Sequence, residues 1–279
     1  MITVDPGTYV QLLALVQNSI IAAAVLGVVG GLIGVFVMQR DMAFAVHGIS
    51  ELSFAGAAAA LLLGLNVVAG SIVGSLLAAG LIGVLGAKAR DRNSIIGVLM
   101  PFGLGLGILF LALYPGRSGN KFGLLTGQII SVDLPQLGLL IGISIVVLVA
   151  LLIVWRPLTF DSLDAEVASA RGVPSGALSI LFMTLLGLTV AVSVQVIGAL
   201  LVMALLVTPA AAALRVSSSP VMVPVLSMVF GLVSAVGGIL LAIGGSLPIS
   251  PYITTISFAI YVVCRIIGAR AGSRAGALR

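Results

Sequence analysis

Apolar residues in this chain come in unbroken runs, each closed by charge, glycine or proline, and none alternates with the period of two that a half-buried strand would need. The runs predict nine candidate membrane spans, near 11–38, 45–65, 67–87, 94–114, 134–155, 175–194, 196–214, 221–243 and 251–268. Most are about 20 residues long, the length an α-helix needs to cross a ~30 Å hydrocarbon core. The predicted architecture is all-α, a polytopic transmembrane helix bundle of about eight or nine spans. Two places blur the count. The stretch 116–134 holds an apolar piece, 123–132, too short to span, and reads as an external loop with a short interfacial or re-entrant helix. Spans six and seven are parted only by the polar break at 193–198, so they form either a tight hairpin or a broken pair.

Composition sharpens the class without changing it. With 61% hydrophobic and 8% charged residues, the chain cannot be covered by a soluble surface. Its 35 glycines fall largely inside apolar runs, where they let helix backbones approach closely. The one cysteine, Cys264, excludes an internal disulfide and any multi-cysteine metal site and reads as a core or lipid-facing residue. The start, Met1-Ile2-Thr3-Val4-Asp5-Pro6, has no basic region and predicts no cleavable signal peptide. The whole chain, 1–279, reads as a single transmembrane domain.

The net charge of +5 is spread among loops and does not point to nucleic acid. It fixes orientation instead. With the N-terminus outside, 11 of the 13 basic residues fall on the cytoplasmic side and only Arg117 and Lys121 remain outside. The short loop 88–93 reads as a charged turn of that kind. The expected topology is N-out and C-in.

Candidate chemistry is concentrated in the second span. His47 is the only histidine and Glu51 the only carboxylate inside a hydrophobic segment. Four residues apart, they share one face of a helix. About 16 Å of rise from Arg40 would place Glu51 near the bilayer midplane. A structural pair is one reading; ionisable groups at that depth more often face a cavity or a partner. One imidazole nitrogen and one carboxylate suit zinc, manganese or iron better than magnesium or Cu(I). Two ligands do not complete a site, so a second copy, or Ser50 with waters and backbone carbonyls, would have to. Asp41 beside Arg40 reads as a membrane-surface ion pair or a helix-start feature, with a functional gate as the lesser reading. Gln195, and carbonyls freed near Pro209 in a kinked helix, are further pathway candidates.

The cytoplasmic segment 157–174 differs from the other loops. Acids alternate with apolar residues at helical spacing. Leu163, Val167 and Ala170 share a face, Asp164 can cap, and Gly172 with Pro174 ends the helix. Three acids, Asp161, Asp164 and Glu166, argue against an anionic lipid surface and for a protein partner. No Gly-x-x-x-x-Gly-Lys-[Ser/Thr] loop, Ser/His/Asp arrangement or His-Glu-x-x-His motif is present. The chain is therefore not expected to be an enzyme, and ATP hydrolysis, if it drives transport, belongs to another chain.

Several segments together resemble the ABC-3 family of metal permeases, the membrane subunits of bacterial zinc, manganese and iron importers. They are Gly34-Val35-Phe36-Val37-Met38-Gln39-Arg40 followed by Met42-Ala43-Phe44, Phe54-Ala55-Gly56, Thr159-Phe160-Asp161, Ala170-Arg171-Gly172-Val173-Pro174, and Val196-Ile197-Gly198-Ala199-Leu200-Leu201-Val202 on through Leu205 to Ala211. The resemblance implies a type II importer-like fold in the bacterial plasma membrane, in contact with lipid. It implies a homodimer, two cytoplasmic ABC ATPase subunits and an extracytoplasmic metal-binding protein. It also implies no permanent cofactor, only a transported divalent ion. On that likeness 159–172 is the coupling segment, with Phe160, Asp161, Asp164, Glu166, Val167, Arg171 and Gly172 as its residues. Members commonly read Gly-Asp-x-x-x-His after the Met-Ala stretch. Here His47 stands at the Asp position and Glu51 at the His position, so the metal-capable pair is kept with its types exchanged. Two other readings of the residues are a proton-coupled secondary transporter using Glu51, and an ABC permease for a metal chelate or vitamin.

Overall fold

The computed structural model describes residues 6–85, 89–116, 132–199, 201–243 and 249–276. Its elements are α1 (Pro6–Leu15), α2 (Gln17–Gln39), α3 (Ala43–Leu62), α4 (Val67–Leu85), α5 (Ala89–Leu113), α6 (Leu134–Ile153), α7 (Trp155–Leu163), α8 (Ala165–Ala170), α9 (Ser175–Ile197), α10 (Val202–Leu206), α11 (Thr208–Val216), α12 (Met222–Ile243) and α13 (Ile249–Gly276). No strand occurs among the described residues. Eight of these helices are long and apolar enough to cross a membrane.

The seventh predicted span is corrected. The chain over 196–214 is not one helix but an end, a turn and two short helices. Gly198 takes φ 82°, a left-handed conformation that stops α9. Pro209 lies in the first turn of α11, where its missing N–H costs no helical hydrogen bond, so it starts a helix and kinks none. The first predicted span likewise begins at Gln17, with α1 a separate ten-residue helix. The predicted turn at 88–93 is mostly helix, since α5 already begins at Ala89. The predicted re-entrant piece 123–132 lies almost wholly outside the described residues.

The chain divides into two compact units, 1–38 with 130–137 and 203–279, and 39–129 with 138–202. In the first, α2 and α12 cross antiparallel at their glycines. Gly27 lies on the backbone of Gly231, and Gly31 on that of Ser227, whose hydroxyl donates to the Gly31 carbonyl at 2.6 Å. Farther along α2, Gly34 meets the Leu206 carbonyl, and Val35 joins Ala210, Ala213 and Val223 in a small core. α10 and α11 run parallel to α13, because Ser257 donates to the Ala204 carbonyl at 3.0 Å and Gly268 packs on Arg215. Cys264 of α13 is buried, the core alternative of its two readings.

The second unit is built around α3, which is buried along nearly its whole length. Gly64 (φ 67°) ends it: Leu65 N–H reaches the Ala60 carbonyl and Gly64 N–H that of Leu61, the paired bonds of a Schellman motif. Asn66 then caps α4 by accepting from Ala69 N–H at 2.9 Å. The two helices close into a hairpin whose backbones nearly touch at Gly56, Gly70 and Gly74. A chain of hydroxyls fixes the level of a third helix: Ser53 and Ser71 lie 2.7 Å apart, and Ser71 reaches the Ala191 carbonyl of α9 at 3.3 Å. α5 runs beside α3, with Gly103 against the Glu51 backbone and Gly107 against the Phe54 ring.

A side chain at Gly56 would collide with the Gly70 backbone, which cannot yield as a flexible side chain could. Gly56→Val is therefore expected to cost about 1–3 kcal/mol and force the hairpin apart. A fall in detergent-solubilised thermal stability and in monodisperse yield checks this; an unchanged melting profile refutes it.

Candidate functional site

α3 begins where α2 has just ended. Asp41, at φ 53°, turns the chain, and Met42, almost fully buried, precedes the first helical turn. Aspartate tolerates this left-handed conformation better than most residues. His47 and Glu51 follow on successive turns of one face, as their spacing predicts. His47 Nε2 lies 3.6 Å from Glu51 Oε1, too far for a good hydrogen bond and close enough to share an ion. The Glu51 side chain is only 3% exposed and that of His47 26%. His47 Nδ1 and Glu51 Oε2 are both buried and have no hydrogen-bond partner among the described residues. Buried polar atoms are rarely left so, and these two sit on the only intramembrane pair of metal-capable side chains that the sequence singles out.

The other pathway candidates are placed differently. Ser50 is fully buried, and its hydroxyl donates to the His47 carbonyl at 2.8 Å, so its proton is committed to its own helix. Gln195 is half-buried with Nε2 unpartnered. Since α9 runs parallel to α3 and Ala191 is level with Ser53, Gln195 stands about 9 Å beyond Glu51 along the helix axes. It belongs to another level of the helix bundle. Among the described residues no three His, Cys, Asp or Glu side chains converge on one point.

The segment 157–174 forms two short helices instead of one. Asp164, extended at φ −153° and ψ 97°, ends α7 and caps α8 by accepting from Val167 N–H at 3.0 Å. This break corrects the expected shared face: Leu163 belongs to α7, and Val167 and Ala170 to α8. The apolar surface survives the break. Leu163 is 71% exposed, and Phe160 and Val167 are also exposed, with the exposed acids Asp164 and Glu166 beside them, while Leu158 and Ala168 face inward. Exposed Arg171 closes α8, and Gly172 follows at φ 83°. There Val173 N–H bonds to Ala168 O and Gly172 N–H to Ser169 O, again as a Schellman motif. Gly172→Ala is expected to cost about 1–2 kcal/mol, because a β-carbon is strained at that φ. Faster proteolysis or hydrogen exchange confined to 165–174 tests it, and unchanged protection there would count against it.

Asp161 is the expected coupling residue that the structure turns inward. Its side chain is buried in an ion pair with Arg40, 121 residues away, and Arg40 Nε also donates to Ser162 Oγ at 2.8 Å. Arg40 thus pairs with a distant acid, and Asp41 stands at the turn into α3, the helix-start alternative of its two main readings. Sequence reasoning missed this link because nothing in the spacing couples residues so far apart.

Residues 13–268 match the ABC 3 transport family. Among similar proteins are the manganese transport system membrane protein MntC of Halalkalibacterium halodurans, 32% identical over 80% of this chain and 77% of that one, and the manganese import system permease protein ScaB of Streptococcus parasanguinis, 32% identical over 84% and 83%. Among solved structures, PsaBC from Streptococcus pneumoniae in complex with Fab superposes with a TM-score of 0.83 at 28% identity, covering 92% of this chain and 94% of that one. An inward-facing conformation of a putative metal-chelate type ABC transporter, at 18% identity and a TM-score of 0.73 over 88% and 85%, shares the fold. A match that runs nearly end to end, in sequence and in helix arrangement, places this chain in the ABC 3 transport family, as a membrane permease subunit.

Proposed function

We propose that this permease imports a divalent transition metal, manganese foremost, through a gate formed by His47 and Glu51, driven by an ATPase docked on 157–174. The observation that carries the reading is the His47 and Glu51 pair, whose buried Nδ1 and Oε2 have no hydrogen-bond partner among the described residues. Imidazole nitrogen with carboxylate oxygen suits manganese, zinc and iron, and the similar proteins named for manganese put that metal first. One chain supplies two ligands. A second copy facing it would bring four, and a homodimer is the assembly that the site asks for. A site of few ligands also releases its ion readily, as conduction requires. Delivery by an extracytoplasmic metal-binding protein, and an N-out, C-in orientation in a bacterial plasma membrane, complete the reading.

The test is radiolabelled uptake into liposomes holding the permease with its copurified ATPase. Manganese uptake that needs internalised ATP, with zinc and iron compared as competitors, supports the reading and ranks the metals. Uptake by the permease alone under a pH gradient would replace it with a proton-coupled carrier that uses Glu51.

A further inference from the structure

Arg40 holds three parts of the second unit at one point. Its guanidinium pairs with Asp161 of α7, its Nε donates to Ser162 of the same helix, and its Cζ lies 5.1 Å from the centroid of the Phe182 ring on α9. Ser162 is itself anchored, since its hydroxyl donates to the Leu158 carbonyl at 2.6 Å. The Arg40 and Asp161 side chains are 11% and 4% exposed. Breaking the pair would leave a poorly hydrated charge without its partner, which is strongly destabilising. The pair behaves as a stiff joint.

What the joint connects gives it meaning. On one side is α7, whose Leu158 and Asp161 face inward while its Phe160 and Leu163 are exposed for a partner. On the other side is the turn that starts α3. Only Asp41 and Met42 separate Arg40 from the helix, and Met42 is buried against movement of its own. His47 and Glu51 lie one and two turns into that helix. Arg40, Asp161 and Ser162 themselves line a cavity of about 620 Å³, together with Gln39, Asp41 and Ser175. α7 is thus not wedged on that flank, and displacing it costs no core packing there.

The geometry points to Arg40 and Asp161 as the joint that carries movement of the cytoplasmic segment to the metal gate, with α7 and the start of α3 moving as one piece. The inference rests on the reading of 157–174 as the ATPase-docking segment. Asp161 is then a positioning residue that faces away from the ATPase, and the exposed residues around it do the docking.

The decisive variant is the double substitution Arg40→Gln with Asp161→Asn, which removes the joint without stranding a buried charge. Expected is wild-type recovery of the ATPase with hydrolysis intact, and manganese uptake per ATP hydrolysed reduced about tenfold. Each single substitution should lower that ratio as far as the double does, since the two residues act as one link. An unchanged ratio in the double variant overturns the inference. So does loss of ATPase recovery in it, which would make Asp161 a docking residue and leave the docking reading standing. The docking reading fails separately if Leu163→Asp with Val167→Asp still recovers the ATPase. Should the double variant not reach the membrane, Arg40→Lys decides. Lysine keeps the charge but not the planar fork that serves Asp161, Ser162 and Phe182 together, so the ratio should fall about threefold, and an unchanged ratio overturns the joint.

Discussion

Glu51→Gln is expected to abolish metal uptake while leaving the protein in the membrane in normal amount. Glutamine matches glutamate in volume, so the packing of α3 against the α5 glycine at 103 is preserved. What is lost is the negative charge and one strong ligand. A divalent ion entering a low-dielectric passage has nothing else of opposite sign to meet, because Glu51 is the one carboxylate described within the spans. Loss of groups that merely orient a metal ligand already costs about 10–100-fold in affinity, and loss of the ligand itself should cost at least as much. His47→Ala should reduce uptake less steeply and alter the order of preference among manganese, zinc and iron, since imidazole is the donor that separates them most. Uptake measured at matched expression checks both, and undiminished uptake in Glu51→Gln removes the gate.

Leu163→Asp combined with Val167→Asp is expected to release the ATPase altogether. The two side chains stand on separate helices joined at Asp164, and both are exposed beside Phe160, while Leu158 and Ala168 of the same helices face inward. Apolar anchors at the centre of an interface are worth about 2 kcal/mol or more each when lost, roughly 30-fold in affinity per residue. Adding two charges beside Asp164 and Glu166 compounds the loss by like-charge repulsion. Affinity purification of the tagged permease reads the result directly. Stoichiometric ATPase in the variant would show that the partner binds elsewhere.

Much of this was legible because membrane spans advertise themselves by length and hydropathy alone. The His47 and Glu51 pair was legible for a related reason: helical periodicity places i and i+4 together whatever surrounds them. Two things were not. The run from Val196 to Val207 is apolar throughout, and whether it forms one helix or several depends on a backbone torsion at Gly198 that hydropathy does not encode. Arg40 and Asp161 each look like a loop charge when read locally, and Asp41 is the nearer acid. Their pairing depends on where two distant helix ends are brought by packing. The same is true of the segment at 157–174: its amphipathic composition was readable, but not the extended residue at Asp164 that divides it.

The broken leg formed by α10 and α11 bears on how the protein is made. Fifteen residues rise only about 22 Å, short of the ~30 Å that a lone helix must cover. Its backbone contacts are to Gly34 of α2, synthesised long before it, and to Ser257 and Gly268 of α13, synthesised after it. Such a segment cannot hold its place in lipid until both neighbours are present, so the position of residues 202–216 is settled only after α13 has left the ribosome.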